Sequence, residues 1–259
     1  MGGPEAAVRT AHEAGCGRVR NDGWPDVISV SDVLTADQSP HAQHAALRVT
    51  GIEYAVCGPG DTPEVGRLLA ESFTRHDPPA VAVGLTSDEF EAFVSLWLPG
   101  AGTDGLTIVA RDVASGQLAG ALLADDAAAP PPQGLDDVSQ KFDPIFDLLD
   151  QIDTEYRQGR NVDPGQSLHL FLLGVADKFT RRSIGRHLVE MCLANGAAKG
   201  YTSAVTEATN PVSQHIFRTL GFEKRTERSY GEYRLDGIPV FASIAEHGGP
   251  MTMDRTVHD

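Results

Sequence analysis

Long apolar runs are missing from this chain of 259 residues. No stretch approaches the ~20 residues that a membrane-spanning helix needs, so no membrane partner is expected. The first 25 residues lack the apolar core of a signal peptide, and Met1-Gly2 is not followed by Ser or Thr at position 6. Neither secretion nor myristoylation is expected. Cysteine is scarce: Cys16, Cys57 and Cys192 show no paired spacing. They read as free thiols of a reducing compartment, which predicts a cytoplasmic protein. No G-x-x-x-x-G-K-[ST] occurs, which excludes a Walker P-loop. The histidines around His41/His44, His247 and His258 lack metal-ligand spacing with Cys or carboxylates, so no metal is expected. Basic residues are few, 21 Lys and Arg against 36 Asp and Glu, for a net charge of −15. That balance argues against a nucleic-acid partner and favours a cationic substrate.

What the chain does have is one basic turn. Val175-Ala-Asp-Lys-Phe-Thr-Arg-Arg-Ser-Ile-Gly-Arg186 lies between the apolar run Leu168–Val175 and the amphipathic run Ile184–Lys199. That order predicts strand, tight polar turn and helix. The turn holds Lys178, Arg181, Arg182 and Arg186. A helix start exposes unpaired N–H groups and the positive end of the helix dipole. With cationic side chains beside it, such a start suits phosphate oxygens, so a phosphate-bearing ligand is expected here. Downstream, Asn210-Pro-Val-Ser-Gln-His-Ile-Phe-Arg-Thr-Leu-Gly-Phe222 reads as a capped helix. Asn210 suits the N-cap, Pro211 the first helical position and Gly221 a left-handed C-terminal cap.

The basic turn resembles motif A of the GNAT N-acetyltransferases, Q/R-x-x-G-x-G/A, whose backbone amides hold the pyrophosphate of acetyl-CoA. Thr180-Arg181-Arg182-Ser183-Ile184-Gly185 covers the six positions. Thr180 replaces the usual Gln or Arg, and Ser183 replaces the first Gly. The second segment resembles motif B, N-x-x-A-x-x-L-Y-x-x-x-G-F. Asn210, Leu220, Gly221 and Phe222 match, Ser213 stands for Ala, and Phe217 stands where a Tyr acts as general acid. The resemblance implies acetyl-CoA as cosubstrate, held by Leu173, Val175, Lys178, the 180–186 turn, Asn210 and Phe217. It also implies a splayed strand pair, Leu168–Val175 and Ser203–Glu207, that admits the pantetheine arm. Gly174 reads as a bulge that turns an N–H inward.

The implied architecture is the α/β GNAT fold, a mixed central sheet flanked by helices, over residues 51–257. Residues 1–50 read as a mostly irregular extension, with a strand considered at Val27-Ile28-Ser29-Val30. Ile52–Cys57 alternates as a strand. Asp61 or Thr62 then caps a helix with Val65, Leu68, Leu69 and Phe73 on one face, broken at His76-Asp77-Pro78-Pro79. Thr86 or Ser87 opens a second helix carrying Phe90, Phe93, Val94 and Trp97, ended by Pro99-Gly100. Leu106–Arg111 and Gln117–Leu123 read as a hairpin. Residues 126–166 form an acidic insert: a Pro-rich linker, then a helix with Phe142, Ile145, Phe146, Leu149 and Ile152 at helical spacing, and Asp143, Asp147, Asp150 and Asp153 on other faces. Tyr233–Phe241 reads as a hairpin turning at Asp236-Gly237, and Met251–Thr256 as a final strand.

Thr74-Arg-His-Asp-Pro-Pro79, Gly84-Leu85-Thr86 and the insert are similar to the arylalkylamine and dopamine N-acetyltransferase branch. That branch uses an acidic residue before Pro as catalytic base, and Asp77 occupies the position. It also uses hydroxyl residues four apart near motif B, and Thr209 and Ser213 have that spacing. His169, placed on the strand face of Phe171 and Leu173, and Glu207 are the other base candidates. Ser213 or water is expected to protonate the departing thiolate, unless a thiol pKa of about 8.5 makes an acid dispensable. The expected function is acetyl transfer from acetyl-CoA to a primary amine, of a small molecule in the first instance, by a monomer or homodimer. The alternatives are a protein N-terminal or lysine acetyltransferase and a catalytically weak acyl-CoA-binding module.

Overall fold

The computed structural model describes residues 47–257. The strand considered at Val27–Val30, Cys16, His41, His44 and His258 lie outside the described residues. The centre is an eight-stranded sheet in the order β1-β2-β3-β4-β5-β6-β8-β7. The strands are β1 Leu47–Val49, β2 Ile52–Val56, β3 Ile108–Asp112, β4 Leu118–Asp126, β5 Ser167–Val175, β6 Ser203–Ala208, β7 Glu223–Glu227 and β8 Met251–Thr256. β5 and β6 are parallel and the other neighbours antiparallel. β1 comes from the stretch read as an irregular extension.

Helices cover both faces because the strands alternate. Leu168, Leu170, Leu122 and Ile108 pack on one side with Leu188 and Val189 of α6, Ile184–Ala198. Leu123, Leu172 and Val109 pack on the other with α1, Thr62–His76, and α3, Ser87–Ser95. α1 buries Val65, Leu68 and Leu69 and stops where Asp77, extended before Pro78, leaves the helical region. A one-turn helix α2, Pro78–Ala82, follows, with the Asp77 carboxylate accepting from Ala80 N. α3 starts with a capping box: Thr86 Oγ1 accepts from Glu89 N, and the Glu89 carboxylate accepts from Thr86 N. The second helix does not run to Pro99-Gly100. It stops at Ser95, and Pro99 sits inside the next short helix, α4, Leu98–Ala101. Proline fits a first turn because its missing N–H would be unpaired there anyway.

The insert belongs to the core. Its helix α5, Asp143–Arg157, buries Ile145, Leu148 and Ile152. Ile152 O accepts from Thr226 Oγ1 of β7 at 3.1 Å, and Tyr156 donates to Asp254 of β8 at 3.0 Å. Two of its acidic residues are tied down, Asp147 by the Tyr233 hydroxyl and Asp153 by Arg157. The 236–237 turn forms, with φ of +50° at Asp236 and +80° at Gly237, but the hairpin around it shrinks to one bridge, Leu235 to Ile238. The rest of that segment packs Tyr230, Tyr233 and Phe241 into the core instead.

β5 departs from its expected register. The β4–β5 ladder slips between Leu123/Leu172 and Ala124/Leu170, so the extra residue is Phe171 and not Gly174, which pairs with Ala121. The slip also splits the face assigned to His169. Phe171 stays beside it, ring centroids 5.2 Å apart, while Leu173 packs on the α6 side. Gly174 serves packing: a Cβ there would lie 2.9 Å from Leu69 Cδ2 and 3.2 Å from Leu68 Cδ2. α1 therefore lies tight on β5 at this point.

Two stability changes follow from the backbone. Gly174→Ala is expected to lower the free energy of unfolding by about 1–3 kcal/mol, the usual cost of overpacking, as read by urea titration. Equal stability would mean that α1 does not press on Gly174. Ser183 has φ +57° and its side chain makes no cap bond, so it carries left-handed strain with no hydrogen bond in return. Ser183→Gly is expected to raise stability by several tenths to about 1 kcal/mol and the melting temperature by a few degrees. A lower melting temperature would contradict the strain.

Candidate active site

The parallel pair β5–β6 opens the site. Only Ser167/Ser203, Leu168/Ala204 and His169/Val205 pair across it. Beyond them Thr206 Oγ1 donates to Leu170 O at 2.8 Å, and the strands then part. A cavity of about 130 Å³ lies at the parting. Leu170–Leu173 of β5 and Thr206–Thr209 on the β6 side line it, and so do Phe73 of α1, Phe90 and Phe93 of α3, and Phe142 and Phe146 of the insert. The aromatic rings touch one another: Phe73 on Phe90 at 5.0 Å, Phe93 on Phe142 at 4.6 Å and Phe142 on Phe146 at 5.3 Å between centroids. Offset stacked contacts of this kind hold an apolar wall in shape.

Asp77 enters this cavity at its polar end, together with Thr209, Asn210 and Ser213. It is buried, and its Oδ1 accepts from Thr209 Oγ1 at 2.5 Å while Oδ2 accepts from Ala80 N at 3.2 Å. Burial pushes its pKa up to about 6, against the two hydrogen bonds, which pull it down. Asp77 therefore both caps α2 and faces the cavity. Thr209 is fixed by its own carbonyl, which accepts from the Tyr230 hydroxyl at 2.7 Å. Ser213 lies in the first turn of α7, Pro211–Thr219, where its N–H donates to Asn210 Oδ1 at 2.9 Å and its hydroxyl to Asn210 O at 3.0 Å. Asn210 is the helix cap that the sequence predicted. Phe217 is buried on the cavity wall with its ring 5.0 Å from Phe222.

His169 sits between two carboxylates. Its Nδ1 is 2.8 Å from Asp125 Oδ1 and its Nε2 is 2.8 Å from Glu207 Oε2. Burial works against a charge on the ring, but Glu207 and Asp125 outweigh it and raise the pKa well above the ordinary value. Burial likewise works against the Glu207 charge, and the His169 cation outweighs it, so Glu207 stays below its ordinary pKa. Glu207 lines the cavity. Asp125 was not legible in the sequence, where it falls between the hairpin strand ending at Leu123 and the insert starting at 126.

The turn before α6 has the backbone form of an anion cradle. Arg181 and Ser183 have φ of +62° and +57°, with Arg182 outside the positive range between them. Such alternation points successive N–H groups inward, and the first turn of α6 adds its own unpaired N–H groups. Ile184 and Gly185 are buried: a Cβ on Gly185 would lie 3.3 Å from Ile216 Cδ1, so this glycine brings α6 close to α7. The cations are dispersed. Arg182 Nη2 donates to Thr50 O at 3.0 Å and Nη1 is 3.6 Å from Asp112. Arg186 pairs with Glu190, Lys178 donates to Gln117, and Arg181 is exposed. Thr180 donates to Asp177 O, and Asp177 in turn binds Arg75 and His76 at the end of α1. Val175 and Lys178 border a second cleft of about 420 Å³ between α1 and this turn, and Leu173 lines the aromatic cavity. The structure thus brings together Asp77, Glu207, Ser213, Asn210, Leu173 and Phe217 around one cavity, and leaves the 180–186 turn at the end of β5.

Residues 164–230 match the family model of FR47-like proteins, a stretch that runs from β5 through motif A and motif B into the segment after β7. No curated protein matches the chain. Three solved structures are similar in fold. The C-terminal condensation domain of Ebony, in complex with beta-alanyl-dopamine, shares 18% identity at a TM-score of 0.73, over 79% of this chain and 98% of that one. Arylalkylamine N-acetyltransferase 2 of Aedes aegypti shares 21% identity at 0.68, over 80% and 99%. The polyamine N-acetyltransferase of Drosophila melanogaster, which forms N-acetylagmatine, shares 19% identity at 0.65, over 79% and 99%. The architecture shared with them, and the FR47-like segment over both motifs, show that this chain has the GNAT fold.

Proposed function

We propose that the chain is an acetyl-CoA-dependent N-acetyltransferase that acts on a small primary amine by direct attack in a ternary complex. One observation carries the reading: a carboxylate with its pKa near 6, Asp77, faces an aromatic cavity at the point where β5 and β6 part. The Phe171 bulge takes one residue out of the β4 ladder, which leaves backbone groups for a ligand in the opening. The cradle at 180–186 suits the pyrophosphate at the same end of β5. The buried free thiols Cys57 and Cys192 support a reducing, cytoplasmic site of action.

In this reading Asp77 takes the proton from the acceptor's ammonium, directly or through a water. The neutral amine attacks the thioester carbonyl, the C–S bond breaks and the thiolate leaves, while the attacking nitrogen gives up its second proton to water or to the departing sulfur. His169 is a poor base because its two carboxylates keep it protonated, and Glu207 is a poor base because His169 keeps it charged. Phe217 has no proton to give, so Ser213 or water protonates the thiolate, or none is needed at a thiol pKa of about 8.5. Thiol release from acetyl-CoA across a panel of arylalkylamines, polyamines, amino-terminal peptides and lysine peptides tests the reading. Release with small amines supports it. Release with peptides alone would favour a protein acetyltransferase, and binding of acetyl-CoA without release would favour an acyl-CoA-binding module.

Asp77→Asn is expected to lower kcat/KM for the amine by about 10²–10⁴, with acetyl-CoA affinity nearly unchanged. In the native enzyme kcat/KM should rise as Asp77 ionises near pH 6. The same change bears on stability. The folded pKa of about 6 lies above the ordinary 3.8, so the folded state binds the proton more tightly than the unfolded state. Stability then falls as pH rises from about 4 to 6, and the cost is complete above that window. Asn removes the charge, and a gain on the order of 1–3 kcal/mol at pH 7 is expected, shrinking towards pH 4. A silent Asp77→Asn beside a crippled His169→Gln would remove Asp77 from the mechanism.

A further inference from the structure

Three adjacent strands bring one charge triplet to one face of the sheet. Asp125 of β4 lies directly opposite His169 of β5 in the register, and His169 lies opposite Val205 of β6. Glu207 is two residues beyond Val205, hence on the same face. The imidazole spans the two carboxylates with both nitrogens at 2.8 Å. With the ring protonated the triplet carries one net negative charge, and Glu207 is its member on the cavity wall. Around Glu207 the charged groups are His169 from β5 and Arg157 from the last turn of α5, with Asp125 of β4 behind the ring. Arg157 is itself paired, its Nε 2.6 Å from Asp153 and its Nη2 donating to Ala127 O.

Two carboxylates therefore face one aromatic cavity, and their surroundings push them apart. Asp77 is buried with a neutral donor, Thr209, and has gained proton affinity. Glu207 rests on a cation and has lost it. Thr209, which binds Asp77, follows Glu207 by two residues in the chain, and both carboxylates line the one cavity that an ammonium would enter. A group that cannot accept a proton still attracts a cation, and the loss of proton affinity is what makes it useful as an anchor.

We propose that Glu207 is the anchor that holds the acceptor's ammonium in the cavity, separate from the base Asp77, and that His169 and Asp125 are the residues that position it. The anchor rests on the N-acetyltransferase reading above. The ammonium enters charged, is oriented by Glu207 between the phenylalanine walls, and gives its proton to Asp77. His169 and Asp125 do not touch the acceptor. They hold the Glu207 carboxylate in one place and in one charge state.

Calorimetric binding of 2-phenylethylamine and of its neutral isostere 2-phenylethanol to the CoA-loaded protein tests this. The native chain is expected to prefer the amine by about tenfold or more, the scale of a hydrogen bond to a charged group. Glu207→Gln should abolish the preference, leaving 2-phenylethanol affinity unchanged, and should raise the amine KM by more than it lowers kcat. Asp125→Asn should erode the preference in the same direction, and Asp125→Glu should restore part of it. A variant that has merely lost its shape would weaken both probes alike, which would overturn the anchor. A preference that survives in both Glu207→Gln and Asp125→Asn would overturn it too, while leaving acetyl transfer intact. If the native chain binds neither probe and acetylates no small amine, the acceptor reading fails, and the anchor falls with it.

Discussion

Everything in the site depends on β5 and β6 pairing for three rungs and then parting. Backbone groups of a parallel pair want partners, and an opening in mid-sheet leaves them without any. The fold meets this locally. Thr206 spends its hydroxyl on Leu170 O just past the last rung, and the slip at Phe171 turns β5 away from a regular ladder with β4. Outside the opening the sheet is conventional: β6 pairs with β8 along its full length, and β4 with β5 on either side of the slip. The gap is thus framed by strands that cannot close it. α1, pressed against β5 at Gly174, and α6, pressed against β5 at Gly196, fix the frame from the two faces.

The parting also decides the electrostatics. It admits the end of α1 and the turn before α7 to the same cavity, so Asp77 and Thr209 meet although 132 positions separate them. It leaves phenylalanine on the remaining sides, which removes water from Asp77 and raises its pKa. The same face carries a second carboxylate with the opposite fate, because a buried imidazole lies beside it. In the proposed reaction, equal groups with opposed environments let a single cavity attract a cation and also deprotonate it. Stability is given up for this: a carboxylate that resists ionisation in the folded state destabilises it wherever pH forces the charge.

Local features were legible in the sequence. The helix start at Thr86 or Ser87, the cap Asn210 with Pro211, the break at Asp77-Pro78, the hairpin β3–β4 and the amphipathic faces of α1 and α5 all depend on neighbours a few positions apart. The failures share a cause as well. Alternation cannot register a bulge, so one extra residue at Phe171 moved Leu173 to the opposite face from His169. Gly174 read as a bulge, yet it pairs regularly with Ala121 and makes room for the side chains that approach it from α1. Asp125 was invisible because its partner lies 44 positions away, and only the β4–β5 register puts them together. The aromatic wall was half seen. Phe142 and Phe146 were read as the apolar face of an insert helix, but that a linker would fold them over the opening of the sheet is a property of packing, not of period.

The insert then has a function that follows from area and shape. A sheet parted at β5–β6 exposes the opening to water unless something covers it. Here α5 is fastened by Thr226 to Ile152 and by Tyr156 to Asp254, both on strands at the edge of the sheet beyond β6. Those bonds hold Phe142, Ile145, Phe146 and Leu149 against the cavity. Phe217 completes the enclosure from α7, its ring set edge-on against Phe222. A hydroxyl there would need a partner inside an apolar wall. The phenylalanine at this position therefore goes with a cavity whose polar groups are gathered at one end, around Asp77, Thr209, Ser213 and Glu207, and whose other walls only exclude water. In the proposed reaction the proton would pass along that one end, where Asp77, Thr209, Ser213 and Glu207 stand.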